Sequence, residues 1–238
     1  SSQATGGRPE GFSGAGQHGL IRRFIGNMIE ESVTFSTALI RSTHDIACAL
    51  EPHVSDPDHF RARMSLLIDP NKPENQVFYA ALTFAYKLHA GQKRKSGAPY
   101  ISHPFAVAEI LARELKIRDP NVLASALLHD VVEDVPSIHL EDIDERFGGV
   151  VAELVDGCTK LSRLYLDKAT VKNLTHSKIF LSASRRLGVL IIKLADRLHN
   201  LRTLHYLSKP KRQRIAHETI EVYAPIAAKL NIFPLKRE

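Results

Sequence analysis

The stretch Leu127-Leu128-His129-Asp130-Val131-Val132-Glu133-Asp134 gathers four polar groups directly behind the apolar run Val122 to Leu128. An unpaired charge in such surroundings is costly to desolvate, so something must neutralise these groups. If the run is helical, His129 and Glu133 stack at i,i+4, and Asp130 and Asp134 form a second such pair beside them. A bound metal ion accounts best for that arrangement. Two further segments carry groups of the same kind. His103 opens a helix behind a basic loop, and Asp196 lies inside the apolar helix that contains Lys193-Leu194-Ala195-Asp196-Arg197-Leu198-His199-Asn200. A lone histidine in a helical protein is more often a satisfied core or surface residue than a ligand, and His103 gains weight only from this company. Imidazole and carboxylate donors suit a hard-to-borderline divalent ion such as Mn²⁺, Fe²⁺ or Zn²⁺.

On the later helix Asp196, Asn200 and Thr203 recur at i, i+4 and i+7, within about 60° of one another around the axis, and form one polar stripe. Leu190, Ile191, Leu194, Leu198 and Leu201 supply the adjacent packing face, so the stripe is expected to line a cavity cut into the core. The plainer alternative pairs Asp196 with a neighbouring Arg and leaves Asn200 and Thr203 as helix-end hydrogen-bonders. The loop from Gln92 to Tyr100 places Lys93, Arg94 and Lys95 before Gly97 and Pro99. Such a loop can cradle an anion, although in isolation a solvated basic turn is the commoner meaning of this pattern. The cluster Lys209, Lys211, Arg212 and Arg214 could counter an anionic ligand, and reads first as a solvated helix start.

The elements that must position these residues are helical. The chain has 238 residues, is 44% hydrophobic and contains no Trp, which fits one large or two small domains with a real core. Its two cysteines, Cys48 and Cys158, match no disulfide framework or thiolate metal site and point to a reducing compartment. The net charge of +6 and a pI near 9.3 favour an anionic partner such as a nucleotide, polyphosphate or RNA. No run of eighteen apolar residues occurs and the first twenty residues lack the charged-then-apolar order of a secretory signal, so a soluble protein is expected, and the missing initiator Met leaves room for a removed transit segment.

Residues 1–19 are Gly- and Ser-rich and are expected to form a disordered tail. Apolar spacing from Leu20 to Leu50 predicts one or two amphipathic helices, and Asp56-Pro57-Asp58 opens a short one; residues 20–72 together form an N-terminal helical extension. A helix starts at Pro73-Glu74 and ends at Ala90-Gly91, His103-Pro104 starts another that runs to about Leu115, and Asp119-Pro120 caps the helix leading into the His-Asp stretch. Helices 139–147 and 150–161 follow, then a loop over 162–171 and helices over 172–184 and 187–205. A last long helix begins at Pro210 and is interrupted at Pro225. No strand pattern or internal repeat is present.

In order, Arg94-Lys95-Ser96-Gly97, His103-Pro104, the segment from His129 to Asp134, Phe147-Gly148, the segment from Leu154 to Leu161, the segment from Lys193 to Leu204 and Ile215 to Thr219 together resemble the HD hydrolase domain of RelA/SpoT homologue proteins. The match covers roughly residues 74–238, and its specificity lies in the order and spacing of the segments, since a bare His-Asp pair means little. The resemblance implies an all-α, helical HD-domain hydrolase bundle over residues 73–238. It implies one Mn²⁺ held by His103, His129, Asp130 and Asp196, and hydrolysis of the 3′-pyrophosphate of the alarmone (p)ppGpp, in the stringent response, to GDP or GTP plus pyrophosphate. Glu133 and Asp134 match the acidic pair that works on the attacking water. Arg94 matches the position that packs on the guanine base, with Lys95, Ser96, Asn200 and Thr203 as further substrate contacts.

Where long family members usually carry Asn and Arg ahead of Lys178-Ile179-Phe180, this chain has Thr175 and Ser177, which bears on substrate affinity or control. Tyr223 to Ile232 resembles the junction into a synthetase domain; a fragment of a longer synthetase/hydrolase protein and a natural truncation both fit, and the extra helices over 20–68, which minimal single-domain hydrolases of the family do not need, favour the fragment. The implied partners are guanosine tetra- and pentaphosphate and that C-terminal synthetase domain, with ribosome contact only through the full-length protein and no membrane. The implied location is the cytoplasm or a plastid stroma. Two rivals remain: an HD phosphohydrolase acting on another nucleotide such as NADPH, and a regulatory domain that binds nucleotide without turnover.

Overall fold

The computed structural model describes residues 55–166, 187–230 and 232. The expected tail at 1–19, the helices over 20–50 and 172–184, and the Thr175 and Ser177 departures lie outside the described residues. All regular structure among the described residues is helical, with a single isolated antiparallel bridge between Lys93 and Pro99. None of the described helices is long and apolar enough to cross a membrane.

Helix α1 (Pro57–Ser65) starts at its Asp-Pro pair, with the Asp56 carboxylate accepting from the Asp58 amide at 3.0 Å. It buries Phe60 and Met64, and Phe60 stacks on Phe105 with ring centroids 4.0 Å apart. After a 3-10 turn at Pro73–Asn75, α2 (Gln76–Leu88) buries Phe78, Tyr79, Ala81, Leu82 and Ala85. Helix α3 (Ser102–Glu109) continues into a π turn, Ile110–Glu114.

Helix α4 (Pro120–Leu128) is capped by Asp119, whose carboxylate accepts from Asn121 and Val122 amides at 2.8 and 3.1 Å. Every residue from Leu123 to Leu128 is buried. A short helix apolar all round belongs at the centre of a domain, and α4 packs against α2, α3 and the two later helices α7 and α8. Its successor α5 (Val131–Asp134) is a separate short helix. The expected continuous helix through His129 and Asp130 is therefore corrected: the two residues form a joint. Nδ1 of His129 bonds the Ala126 carbonyl at 2.8 Å, and the Asp130 carbonyl takes the amides of Glu133 and Asp134, so the turn is re-aimed.

Helix α6 (Leu140–Phe147) matches its expected range, and Gly148 separates it from α7 (Gly149–Leu166). Residues 162–166 are helical rather than loop, because Ser162 back-bonds to the Cys158 carbonyl and no breaker intervenes. Helix α8 (Leu187–Arg202) ends three residues before its expected limit and passes into a 3-10 turn, Leu204–Tyr206, where the Thr203 hydroxyl donates to the His199 carbonyl. Helices α7 and α8 meet at glycines. A Cβ on Gly157 would lie 2.6 Å from Val189 Cγ2, and one on Gly188 would lie 2.9 Å from Leu154 Cδ2. Helix α9 (Lys209–Glu218) ends in a π turn, Thr219–Tyr223, before α10 (Ala224–Lys229). Pro225 in the first turn of α10 has no amide to return, which fits the widened turn ahead of it.

Candidate metal centre

The basic loop is a tight hairpin. The Arg94 amide donates to the Ala98 carbonyl at 2.8 Å, the Gly97 amide to Arg94 at 3.0 Å and the Tyr100 amide to Gln92 at 2.9 Å. Gly97 has φ +88, a left-handed backbone that a glycine adopts without a Cβ penalty. The hairpin turns Arg94 inward, where Nη1 lies 3.4 Å from His199 Nδ1 and Nη2 lies 3.4 Å from Asn200 Oδ1. Lys95 stays exposed, and Ser96 Oγ accepts from the Ala98 amide within the loop.

Three separated segments converge below Arg94. His103 enters from the first turn of α3, His129 and Asp130 from the joint between α4 and α5, and Asp196 from the middle of α8. His103, His129 and Asp130 form a group able to hold a metal ion, with one ligating atom of each inside 4.8 Å of the others. His103 Nε2 lies 3.6 Å from Asp130 Oδ2 and 3.3 Å from Asp196 Oδ1, so Asp196 adjoins the group through His103. The decisive contact is at His129. With its Nδ1 given to the Ala126 carbonyl, a neutral His129 presents an Nε2 lone pair that is buried and lacks a hydrogen-bond partner. That atom lies 3.1 Å from the Asp130 Oδ2 carboxylate oxygen. Asp130 favours the protonated ring, so in the ion-free protein a proton joins this pair, where a neutral ring would leave two acceptors facing; a divalent cation can take that proton's place, and the donor set fits one.

Burial alone would raise the carboxyls of Asp130 and Asp196, yet His129 beside the first and Lys193 beside the second hold both below their ordinary value. Burial opposes charge on His129, but Asp130 raises it, whereas on His103 burial prevails and lowers it. Lys193 is 5% exposed, and its ammonium, disfavoured by burial, is raised by Asp196 and Asp130; its Nζ lies 3.6 Å from Asp196 Oδ2. Glu133 and Asp134 are exposed on α5, at the rim. The Glu133 carboxyl is raised, by partial desolvation first.

Asn200 donates from Nδ2 to Asp196 Oδ1 at 2.6 Å, which bears out the shared stripe, while the Thr203 hydroxyl is turned to its own backbone. Asp196 pairs with Lys193 and His103; Arg197 goes instead to Glu218 at 3.3 Å and lies over the Tyr223 ring at 4.2 Å. Sequence reasoning missed three neighbours. Tyr100 donates its hydroxyl to Asp130 Oδ2 at 3.0 Å and stacks on the buried His89. His199 touches His103, with the two Nδ1 atoms 2.8 Å apart. Lys193 is the third, and an i,i+3 Lys-Asp pair within an apolar helix was the available signal for it.

Residues 81–233 match the family model described as HD domain. Over 178 residues the chain is 45% identical to the bifunctional (p)ppGpp synthase/hydrolase SpoT of Escherichia coli (strain K12), covering 74% of this chain and 25% of that protein. It is 48% identical over 153 residues to the guanosine-3′,5′-bis(diphosphate) 3′-pyrophosphohydrolase of Haemophilus influenzae, covering 63% and 22%. It is 48% identical over 158 residues to a GTP pyrophosphokinase of Streptomyces coelicolor, covering 66% and 18%. The chain thus spans a quarter or less of the length of these curated relatives.

Proposed function

The chain belongs to the HD-domain family, and from that membership we propose that it hydrolyses the 3′-pyrophosphate of guanosine tetra- and pentaphosphate, releasing pyrophosphate and leaving GDP or GTP. The observation that carries the reading is the convergence of His103, His129 and Asp130, one ligating atom of each within 4.8 Å of the others, with Asp196 against His103 and Arg94 beside Asn200. His103, His129, Asp130 and Asp196 would hold the ion, and Mn²⁺ suits two imidazoles and two carboxylates. When bound, such an ion polarises a phosphate oxygen and supplies positive charge against the polyphosphate.

The chain's own residues do the rest. The Tyr100 hydroxyl fixes the orientation of Asp130, and Lys193 offsets the two half-buried carboxylates. A Glu133 carboxylate oxygen takes a proton from the attacking water, with Asp134 beside it. Arg94 offers its guanidinium plane to the guanine base, while Lys95, Ser96, Asn200 and Thr203 contact the nucleotide. The working location is the cytoplasm, consistent with the buried free thiol of Cys158.

Incubation with Mn²⁺ and guanosine tetraphosphate tests the reading, with pyrophosphate as the expected product and chelation abolishing turnover. Orthophosphate release from NADPH, with no reaction on the alarmone, would replace it with the other phosphohydrolase reading. Tight alarmone binding without product would make the domain a regulatory module.

A further inference from the structure

His199 approaches the proposed ligand His103 from the side of the ring opposite Asp130 and Asp196. Its Nδ1 lies 2.8 Å from His103 Nδ1, and Arg94 Nη1 approaches the same atom at 3.4 Å. Two ring nitrogens at that distance need one donor and one acceptor, and a guanidinium only donates. The atom that both neighbours meet is therefore the acceptor, which places the His199 proton on Nε2. His103 is then the donor. Its proton rests at Nδ1, and its Nε2 keeps a lone pair turned toward Asp130 Oδ2 and Asp196 Oδ1 at 3.6 and 3.3 Å.

One helix supplies both grips. Asp196 and His199 stand three residues apart on α8, so they project from neighbouring positions of one face, the first to Nε2 of the His103 ring and the second to Nδ1. We propose that His199 is a positioning residue that selects the ion-binding tautomer of His103 by accepting its Nδ1–H, and that Arg94 of the substrate loop shares this acceptor. The proposal rests on His103 being a metal ligand. It also connects the loop to the ion site: a change at Arg94 alters the competition for the lone pair that orients His103.

The test is Mn²⁺ affinity of the metal-free protein, measured by calorimetry without substrate. His199→Phe fills the space with no acceptor, whereas His199→Asn offers Oδ1 near the position of Nδ1. Loss of an oriented partner of a metal-binding imidazole weakens affinity about 10- to 100-fold, so the Phe variant should bind Mn²⁺ at least about tenfold more weakly and the Asn variant within about threefold of the parent. Unchanged affinity in a folded Phe variant overturns the proposal, and so does equal weakening in both variants, which would mark a packing role. If the Phe variant does not fold, imidazole nitrogen NMR of the Zn²⁺-loaded parent decides: His199 protonated at Nε2 supports the proposal, and a proton on its Nδ1 overturns it. A parent chain that binds no Mn²⁺ at all overturns the metal reading and this proposal with it.

Discussion

Glu133 is raised from its ordinary value because its surroundings partly desolvate it and Asp130 and Asp134 add negative charge, with Lys193 and a Ser162 hydrogen bond opposing. A general base works only when deprotonated. Turnover should therefore be lost as pH falls through the raised folded value and be present above it, giving an acid limb displaced upward from that of a free carboxylate. Glu133→Gln should remove the limb and lower kcat by about 10²- to 10⁴-fold with little change in KM. Steady-state kinetics across pH measure this, and a predominantly KM effect would strip Glu133 of the role. The candidate metal ligands were legible in the sequence because imidazoles and carboxylates stood out against apolar helices. The Tyr100 hydroxyl on Asp130 and the His199 ring against His103 were not, since each contact joins segments whose proximity only the folded chain creates.

Helix starts were readable where chemistry marks them. Asp56-Pro57 and Asp119-Pro120 each combine a side-chain acceptor with a residue that lacks an amide, and both open a helix where expected. The joint at His129-Asp130 was hidden, because no glycine or proline announces it and the break is made by side-chain and carbonyl bonds. Also unannounced was the close approach of α7 and α8, where Gly157 sits under Val189 and Gly188 under Leu154. This seam holds α8, and hence Asp196, at its distance from α4. Gly157→Ala gains helix propensity of about 1 kcal/mol but forces the buried Val189 to move, and overpacking of this kind costs about 1–3 kcal/mol. We expect net destabilisation in denaturant melts, relieved when Val189→Ala is added. A more stable single variant would show that the seam has room to spare.

Across the molecule, α1 shares the core of the helices that carry the candidate metal site: Phe60 is 1% exposed and stacked on Phe105, two residues from His103. Phe60→Ala should cost about 3–5 kcal/mol, read by urea unfolding, and a loss below about 1 kcal/mol would place α1 outside the cooperative unit. The same cooperative fold is what an ion would stabilise. Asp130 and Asp196 are held ionised beside His103, with Lys193 Nζ 3.6 Å from Asp196, so the fold gathers two carboxylates and two imidazoles at one point. The unfolded chain separates the three segments and offers no comparable site. Binding to the native state alone adds RT ln(1 + [ion]/Kd), about 2.7 kcal/mol at a hundredfold excess over Kd. For a domain of this size that corresponds to a rise in Tm of roughly 5–10 °C. Mn²⁺ should produce such a rise in calorimetry, a chelator should reverse it, and Asp196→Asn should shrink it and also lower the metal-free Tm, because the buried Lys193 ammonium loses the carboxylate beside it. If Mn²⁺ leaves Tm unmoved in the parent chain, the convergence of these segments serves packing and not ion binding.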